Sequence, residues 1–260
     1  MTAQVDYELN NNVAVIRLND PATLNALSHA IVGSLHHAFR RAAAEARAVL
    51  LCGAGRGFCS GWNLTTSSGA DDGLPFDAGL VLEAHINPLM QSLRRLPIPF
   101  ISAVHGAAAG AGASLALAAD LIVAAESAYF LQAFRRIGLV PDAGATWLLT
   151  QSVGRVRAME LMLLGDRLPA ARALEWGLIN RVVADADLQT AALALAGDLA
   201  AGPTRALGMI RRAAWAAAEQ DFTAALDTER ALQAEAGRTE DYAEGVLAFV
   251  EKRAARFSGR

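Results

Sequence analysis

The segment Gly138 to Leu149, GLVPDAGATWLL, places one carboxylate, Asp142, between a proline and two small residues, with apolar side chains on both sides. Two roles suit it. Pro-Asp-x-Gly is good turn chemistry, and an aspartate just ahead of a helix caps free backbone N–H groups. The other role is acid-base work from an apolar pocket, where burial raises a carboxyl's pKa towards the pH at which it both accepts and donates a proton. Leu139 and Trp147 are the apolar neighbours that would do this. Two glycine-rich stretches offer the other half of such a site: GAGRGFCSGWNL, Gly53 to Leu64, and HGAAAGAGASLALAAD, His105 to Asp120. So many small residues permit close backbone approach and leave the first N–H groups of a helix free for an anionic oxygen. Tight packing alone is the other reading.

Several chemistries find no support. Neither stretch contains G-x-G-x-x-G, the second lacks the Lys-Ser/Thr of a P-loop, and no G-x-S-x-G surrounds Ser60 or Ser114. Cys52 and Cys59 are the only thiols and form no C-x-x-C, so they read as free structural cysteines. His29, His36, His37, His85 and His105 make no H-E-x-x-H, and no metal site is expected. A net charge of −3 without long runs leaves no footprint for nucleic acid. The amino end shows no basic region followed by an apolar stretch, and no segment reaches the ~18 apolar residues of a membrane span. A soluble, cytoplasmic protein is expected. Its 260 residues, 53% hydrophobic and 19% charged, suit one large core with or without a smaller appendage.

The elements that must position these residues follow from periodicity. VDYEL and VAVIRLN alternate like strands about a turn at Asn10 to Asn12; Ser28 to Ala46 reads as a helix behind a serine cap; Ala48 to Cys52 reads as a buried strand. The alternation continues with a helix at Phe76 to Leu96, a strand at Pro99 to Val104, a helix at Ala111 to Ala119 and a strand at Leu121 to Glu126. Each glycine-rich stretch therefore lies at a strand's carboxyl end, the usual place for ligands in an α/β sheet. From about Asp142 the pattern is mostly helical: Gly154 to Leu164, Ala170 to Trp176 and Asp187 to Ala200, with a brief strand LINRVV between the last two. Helices at Thr204 to Ala218, Phe222 to Ala236 and Asp241 to Ala254 close the chain. Their alanine-rich stripes call for packing on the core or on a neighbouring subunit.

These residues also carry a resemblance. RGFCSGWNL is similar to the F-C-A-G-x-D-L stretch of the enoyl-CoA hydratase/isomerase (crotonase) family, and AVHGAAAGAGASLALAADLIVAAESAYF resembles that family's second glycine-rich block. DPATLNALS (Asp20 to Ser28), ALEWGLINRVV (Ala173 to Val183) and the closing FVEKRAARFSGR match its other landmarks, in order and over nearly the whole chain. QAFRRIGLVPDAGATWLL with GRVRAMELMLLGDRL looks closest to the ring-1,2-epoxyphenylacetyl-CoA isomerase-like branch. The resemblance implies an α/β crotonase-like spiral of ββα units, with residues 1–200 as core and 201–260 as a helical region for core packing and oligomerisation. It also implies a homotrimer or a hexamer built as a dimer of trimers.

The implied chemistry maps residue by residue. The thioester oxygen of an acyl-CoA would accept from the backbone N–H groups of Trp62 and Ala111, and Asp142 matches the acid-base aspartate of the related isomerases. The two glutamates of the true hydratases correspond to Ser114 and Phe134, so two-carboxylate hydration is disfavoured. Ala22, Leu24 and Ala26 fall on the loop that lines the CoA channel in relatives. Ser60, Gly61, Asn63, Leu64 and Gly110 border the thioester. Lys252, the only lysine, falls where relatives offer a basic group to the CoA phosphates, with a solvated surface lysine as the alternative. Trp62 and Asn63 depart from the family's small-or-polar residue followed by aspartate, and His85 is read as a partly buried helix histidine or a lining of the acyl cavity. The function so implied is an acyl-CoA isomerase with no cofactor beyond the coenzyme A of its substrate, acting by a double-bond shift or an epoxide rearrangement. Hydratase-like or hydrolytic dehalogenase activity and a non-catalytic acyl-CoA binder are the alternatives.

Overall fold

Asn11 and Asn12, both left-handed at φ 47° and 66°, make the two-residue turn that folds Val5–Asn10 (β1) antiparallel onto Val13–Leu18 (β2). Asparagine tolerates that conformation, and the turn's twist matches that of the strands it joins. The computed structural model describes residues 4–64 and 77–260. His29–Glu45 (α1) begins where the Ser28 hydroxyl accepts from the Ile31 N–H at 3.3 Å, and it buries Ile31, Val32, Leu35 and Phe39. Ala48–Gly53 (β3) returns parallel to β2.

The helix expected from Phe76 to Leu96 is built differently. Phe76 lies outside the described residues; Ala78–Val81 (α2) is already helical, capped by the Asp77 carboxylate. A π-helical segment, Leu82–Ile86, then runs into Asn87–Arg94 (α3). Pro88 cannot donate to the carbonyl of Ala84, and the wider π turns end just ahead of it. Phe100–Val104 (β4) follows.

The second glycine-rich stretch holds a strand that its sequence hides. Ala107–Ala109 (β5) precedes Ala111–Leu117 (α4) and, after Leu121–Ala125 (β6), pairs with Tyr129–Leu131 (β7). Ala145–Leu164 (α5) starts nine residues before the expected Gly154 and breaks there, at φ 74° and ψ 162°. Arg167–Pro169 (β8) completes a three-stranded sheet β5-β7-β8. Alanine-rich or three-residue strands carry too little alternation to be read as strands. Ala170–Glu175 (α6), Arg181–Val183 (β9) and Leu188–Ala201 (α7) come next. Thr204–Ala217 (α8), Phe222–Ala236 (α9) and Glu240–Glu251 (α10) end the chain close to their expected bounds.

The larger sheet has the order β1-β2-β3-β4-β6-β9, parallel from β2 onward. Both of its faces are covered. Val13, Val15, Leu50, Cys52 and Ile101 pack against Leu188, Leu195 and Ala196 of α7, while Ile16, Val49, Leu51 and Phe100 face the larger core with α1, α3 and α4. Two buried faces explain why these strands read as nearly continuous apolar runs. They also leave the strands' carboxyl ends as the open place for a site.

Candidate active site

β3 and β4 deliver the two glycine-rich stretches to one place. Past β3 the chain meets the second sheet, where the Cys59 N–H donates to Ala107 O at 3.0 Å and the Ala109 N–H to Cys59 O at 2.9 Å. It then pairs with the loop ahead of α1: the Leu27 N–H donates to Gly61 O at 2.7 Å and the Asn63 N–H to Leu27 O at 2.8 Å. Gly61 sits at φ +96°, and a Cβ there would stand 2.9 Å from Ala109 O and 3.5 Å from Ala111 N. Only glycine allows so close a crossing. Gly110, at φ +51°, then starts α4, so that Ala111 is its first residue and has no acceptor within the helix.

A cavity of about 280 Å³ opens at this crossing. Nine of the residues singled out by sequence line it together: Ser60, Gly61, Trp62, Leu64, Gly110, Ala111, Phe134, Leu139 and Asp142. Its remaining wall includes Leu82 and Ile86 from the π segment, and Ile137 from the turn before Asp142. Asp142 is the only acidic residue lining it among the described residues. Its Oδ1 is buried without a hydrogen-bond partner, and burial pushes the carboxyl up to about 6. A carboxylate accepts hydrogen bonds only, so an unpartnered one in an apolar wall favours its neutral form and takes up a proton readily.

The helix-cap role is not what the carboxylate performs. α5 starts at Ala145 behind Gly144, with no side-chain cap, and only the Asp142 backbone carbonyl engages it, accepting from the Ala145 N–H at 2.9 Å. Ser114 does not line the cavity. It is fully buried on α4, and its hydroxyl lies 3.1 Å from the Asp142 carbonyl and 3.4 Å from that of Gly110. Trp147, expected beside Asp142, instead stacks on Trp215 at 5.2 Å and faces a neighbouring cavity of about 220 Å³.

Other expected residues stand apart from the cavity. Ala22 is exposed and Ala26 buried, while Leu24, at φ 57°, accepts the Ser60 N–H at 3.0 Å. The Ser60 hydroxyl donates to Thr23 O at 2.9 Å, so this loop is held to the cavity rim. Lys252 is exposed and ends α10 in a left-handed conformation. His85 is a correction: it is exposed, its ring 4.3 Å from that of His29, and it does not line the cavity, because the π segment turns it outward.

Two residues escaped the sequence reading. Asn25 is fully buried at φ 57°. Its Nδ2 donates to Ala54 O at 2.9 Å, Gly57 O at 2.8 Å and Phe58 O at 3.2 Å, and its Oδ1 accepts from the Asp20 N–H at 2.9 Å. It thereby ties the Ala22 loop to the first glycine-rich stretch. Asparagine between a leucine and an alanine gives no periodic signal for this. Arg136 lines the cavity, and its guanidinium donates to Gly165 O at 2.7 Å; its place in FRRIG reads as surface. Cys52 and Cys59 are free and buried, and burial pushes the Cys59 thiol up to about 12. Among the described residues no group of three His, Cys, Asp or Glu is placed to hold a metal ion, and no helix is long and apolar enough to cross a membrane.

This fold and this crossing of glycine-rich turns have known counterparts. The model of the enoyl-CoA hydratase/isomerase family matches residues 8–260, and the chain belongs to that family. It is 45% identical over 256 residues to a protein of Rhodobacter capsulatus named "Probable enoyl-CoA hydratase", covering 98% of each chain. It is 44% identical over 250 residues to the 1,2-epoxyphenylacetyl-CoA isomerase of Escherichia coli K12, covering 95% of each. The crystal structure of an enoyl-CoA hydratase from Mycobacterium smegmatis superposes with a TM-score of 0.91 at 31% identity, over 98% of both chains. The α/β architecture with its helical carboxyl-terminal region is thus the crotonase-like fold expected from the sequence.

Proposed function

We propose that this chain is an acyl-CoA isomerase in which Asp142 moves a proton between carbons of the bound acyl group. The backbone N–H groups of Ala111 and Trp62 hold the thioester oxygen. One observation carries the reading: the only carboxylate lining the cavity among the described residues is half-buried with its Oδ1 buried and unpartnered, and it shares that cavity with the free end of α4. Hydrogen-bond donors aimed at the thioester oxygen stabilise an enolate, a contribution of about 3 kcal/mol for one donor, and so make the α or γ proton acidic enough for a weak base. Asp142 takes that proton and returns it to another carbon, and the double bond shifts without metal or redox cofactor. The likeness to a 1,2-epoxyphenylacetyl-CoA isomerase supports rearrangement of an epoxide as a variant of the same chemistry.

The positions where hydratases place their two glutamates hold Ser114, hydrogen-bonded to the backbone, and Phe134, 7% exposed in the cavity wall. Neither supplies a carboxylate, which favours isomerisation over hydration by a carboxylate pair. The Ala22 to Ala26 loop as CoA channel, Lys252 at the CoA phosphates and assembly as a trimer or a dimer of trimers belong to the same proposal. The exposed Ile210, Phe222, Phe249 and Val250 of α8 to α10 support the assembly. The test is turnover of a panel of acyl-CoA esters in deuterated water, followed by mass. Interconversion of 3-enoyl-CoA and 2-enoyl-CoA with deuterium entering the α carbon is the expected result. Steady formation of only the 3-hydroxyacyl product would refute it, replacement of halogen by hydroxyl would indicate a dehalogenase, and binding without turnover a scaffold.

A further inference from the structure

No side-chain hydrogen bond fixes the direction of the Asp142 carboxylate, so its place depends on where its backbone is held. That backbone is constrained from several sides. Pro141 precedes it, and the buried Ala143 that follows is left-handed at φ 51°, a conformation unfavourable to a residue with a Cβ. Gly144 is left-handed again at φ 78°. Such a loop persists only where its surroundings enforce it. The Asp142 carbonyl has two lone pairs, and both are engaged: one by the Ala145 N–H of its own turn, the other by the Ser114 hydroxyl, 28 positions earlier in the chain.

Ser114 lies three residues after Ala111 on α4, and residues so spaced share a helix face. One helix therefore presents a free N–H to the cavity with its first residue and grips the carboxylate-bearing loop with its fourth. We propose that Ser114 is a positioning residue: its hydrogen bond to the Asp142 carbonyl sets where the carboxylate stands relative to the Ala111 N–H. The proposal rests on Asp142 as the acid-base group. A hydroxyl at this place holds a base that is carried by another loop.

The test compares Ser114→Ala, Asp142→Asn and the double variant. The Asp142 carbonyl keeps its Ala145 donor in Ser114→Ala, so the fold should hold. Turnover should fall about 10- to 100-fold from the displaced base. KM should stay near wild type, because the backbone donors to the thioester are untouched. The acid limb of kcat/KM should move to lower pH as the released carboxylate becomes hydrated. Adding Ser114→Ala to Asp142→Asn should cost nothing further. Wild-type turnover with an unmoved acid limb, while Asp142→Asn is inert, would overturn the role of Ser114 and leave the base standing. The same loss in the Asp142→Asn background would also overturn it, by showing a merely structural effect. A fully active Asp142→Asn would overturn both readings. Should Ser114→Ala fail to fold, Ser114→Cys, similar in size and a poor donor, should give the same loss and the same shift.

Discussion

Two aspartates flank α4, and the fold treats them in opposite ways. Asp120, just beyond its carboxyl end, accepts from the Phe100 N–H at 2.8 Å and from the Nε of Arg211, a buried arginine of α8. The same guanidinium donates to the carbonyls of Leu96 and Leu93. Burial pushes the Asp120 carboxyl up while Arg211 pulls it down, and the pair joins the sheet, the end of α3 and the carboxyl-terminal helices. Asp142 lies across from the amino end of the same helix and has burial without compensation. One carboxylate is neutralised and structural. The other has no partner at Oδ1, and an unpartnered carboxylate in an apolar cavity marks a candidate functional group more surely than a paired one.

Substituting each aspartate by asparagine should separate the two roles. Asp142→Asn keeps size and shape but cannot carry a proton, and should lower isomerisation by about 10²- to 10⁴-fold in a folded protein. Steady-state assays beside thermal unfolding check this, and activity loss that merely follows stability would erase the contrast. Asp120→Asn should do the reverse. Leaving Arg211 buried without its counter-charge should cost about 3 kcal/mol of stability, read as a drop in the unfolding midpoint, with turnover per folded molecule largely kept.

Smaller effects sharpen the comparison through pH. In the proposed mechanism the carboxylate form of Asp142 is the base, so kcat/KM should fall as pH drops through about 6 and show no such limb in residual Asp142→Asn activity. Stability carries the opposite sign. The folded protein raises this carboxyl above its unfolded value, so the contribution is fully present below about pH 4 and lost as pH rises through about 6. Asparagine does not suffer that loss. Asp142→Asn should therefore gain about 1–2 kcal/mol on wild type at pH 7, after allowance for the partial exposure of the group, and nothing at pH 4. Denaturant titrations at the two pH values measure the difference.

Much of this was legible along the chain. The apolar runs at Ala48 to Cys52 and Pro99 to Val104 announced sheet strands, because burial on both faces demands side chains of one kind. The glycine at 61 announced a close backbone crossing, 2.9 Å from a would-be Cβ to Ala109 O, and the glycine at 110 a backbone of φ 51° and ψ −129° that residues with a Cβ avoid. Asp142 stood out because a charge amid apolar residues needs a reason. Less could be read where a residue acts on something distant in sequence. Asn25 bonds across 29 to 33 positions and Ser114 across 28, and neither type nor spacing announces such a partner. The outward turn of His85 followed from a π segment that shifts the helical register, which periodicity does not foresee.

The sequence by itself determined which residues could react and which strands and helices would carry them, because those follow from local sterics and from hydrophobic period. Whether Asp142 would cap a helix, pair with an arginine or stand unpartnered was decided only by the tertiary structure. All three outcomes use the same side chain and a similar local sequence. They differ in what packing brings within 3 Å of the carboxylate, and at Asp142 packing brings apolar walls and no donor to Oδ1.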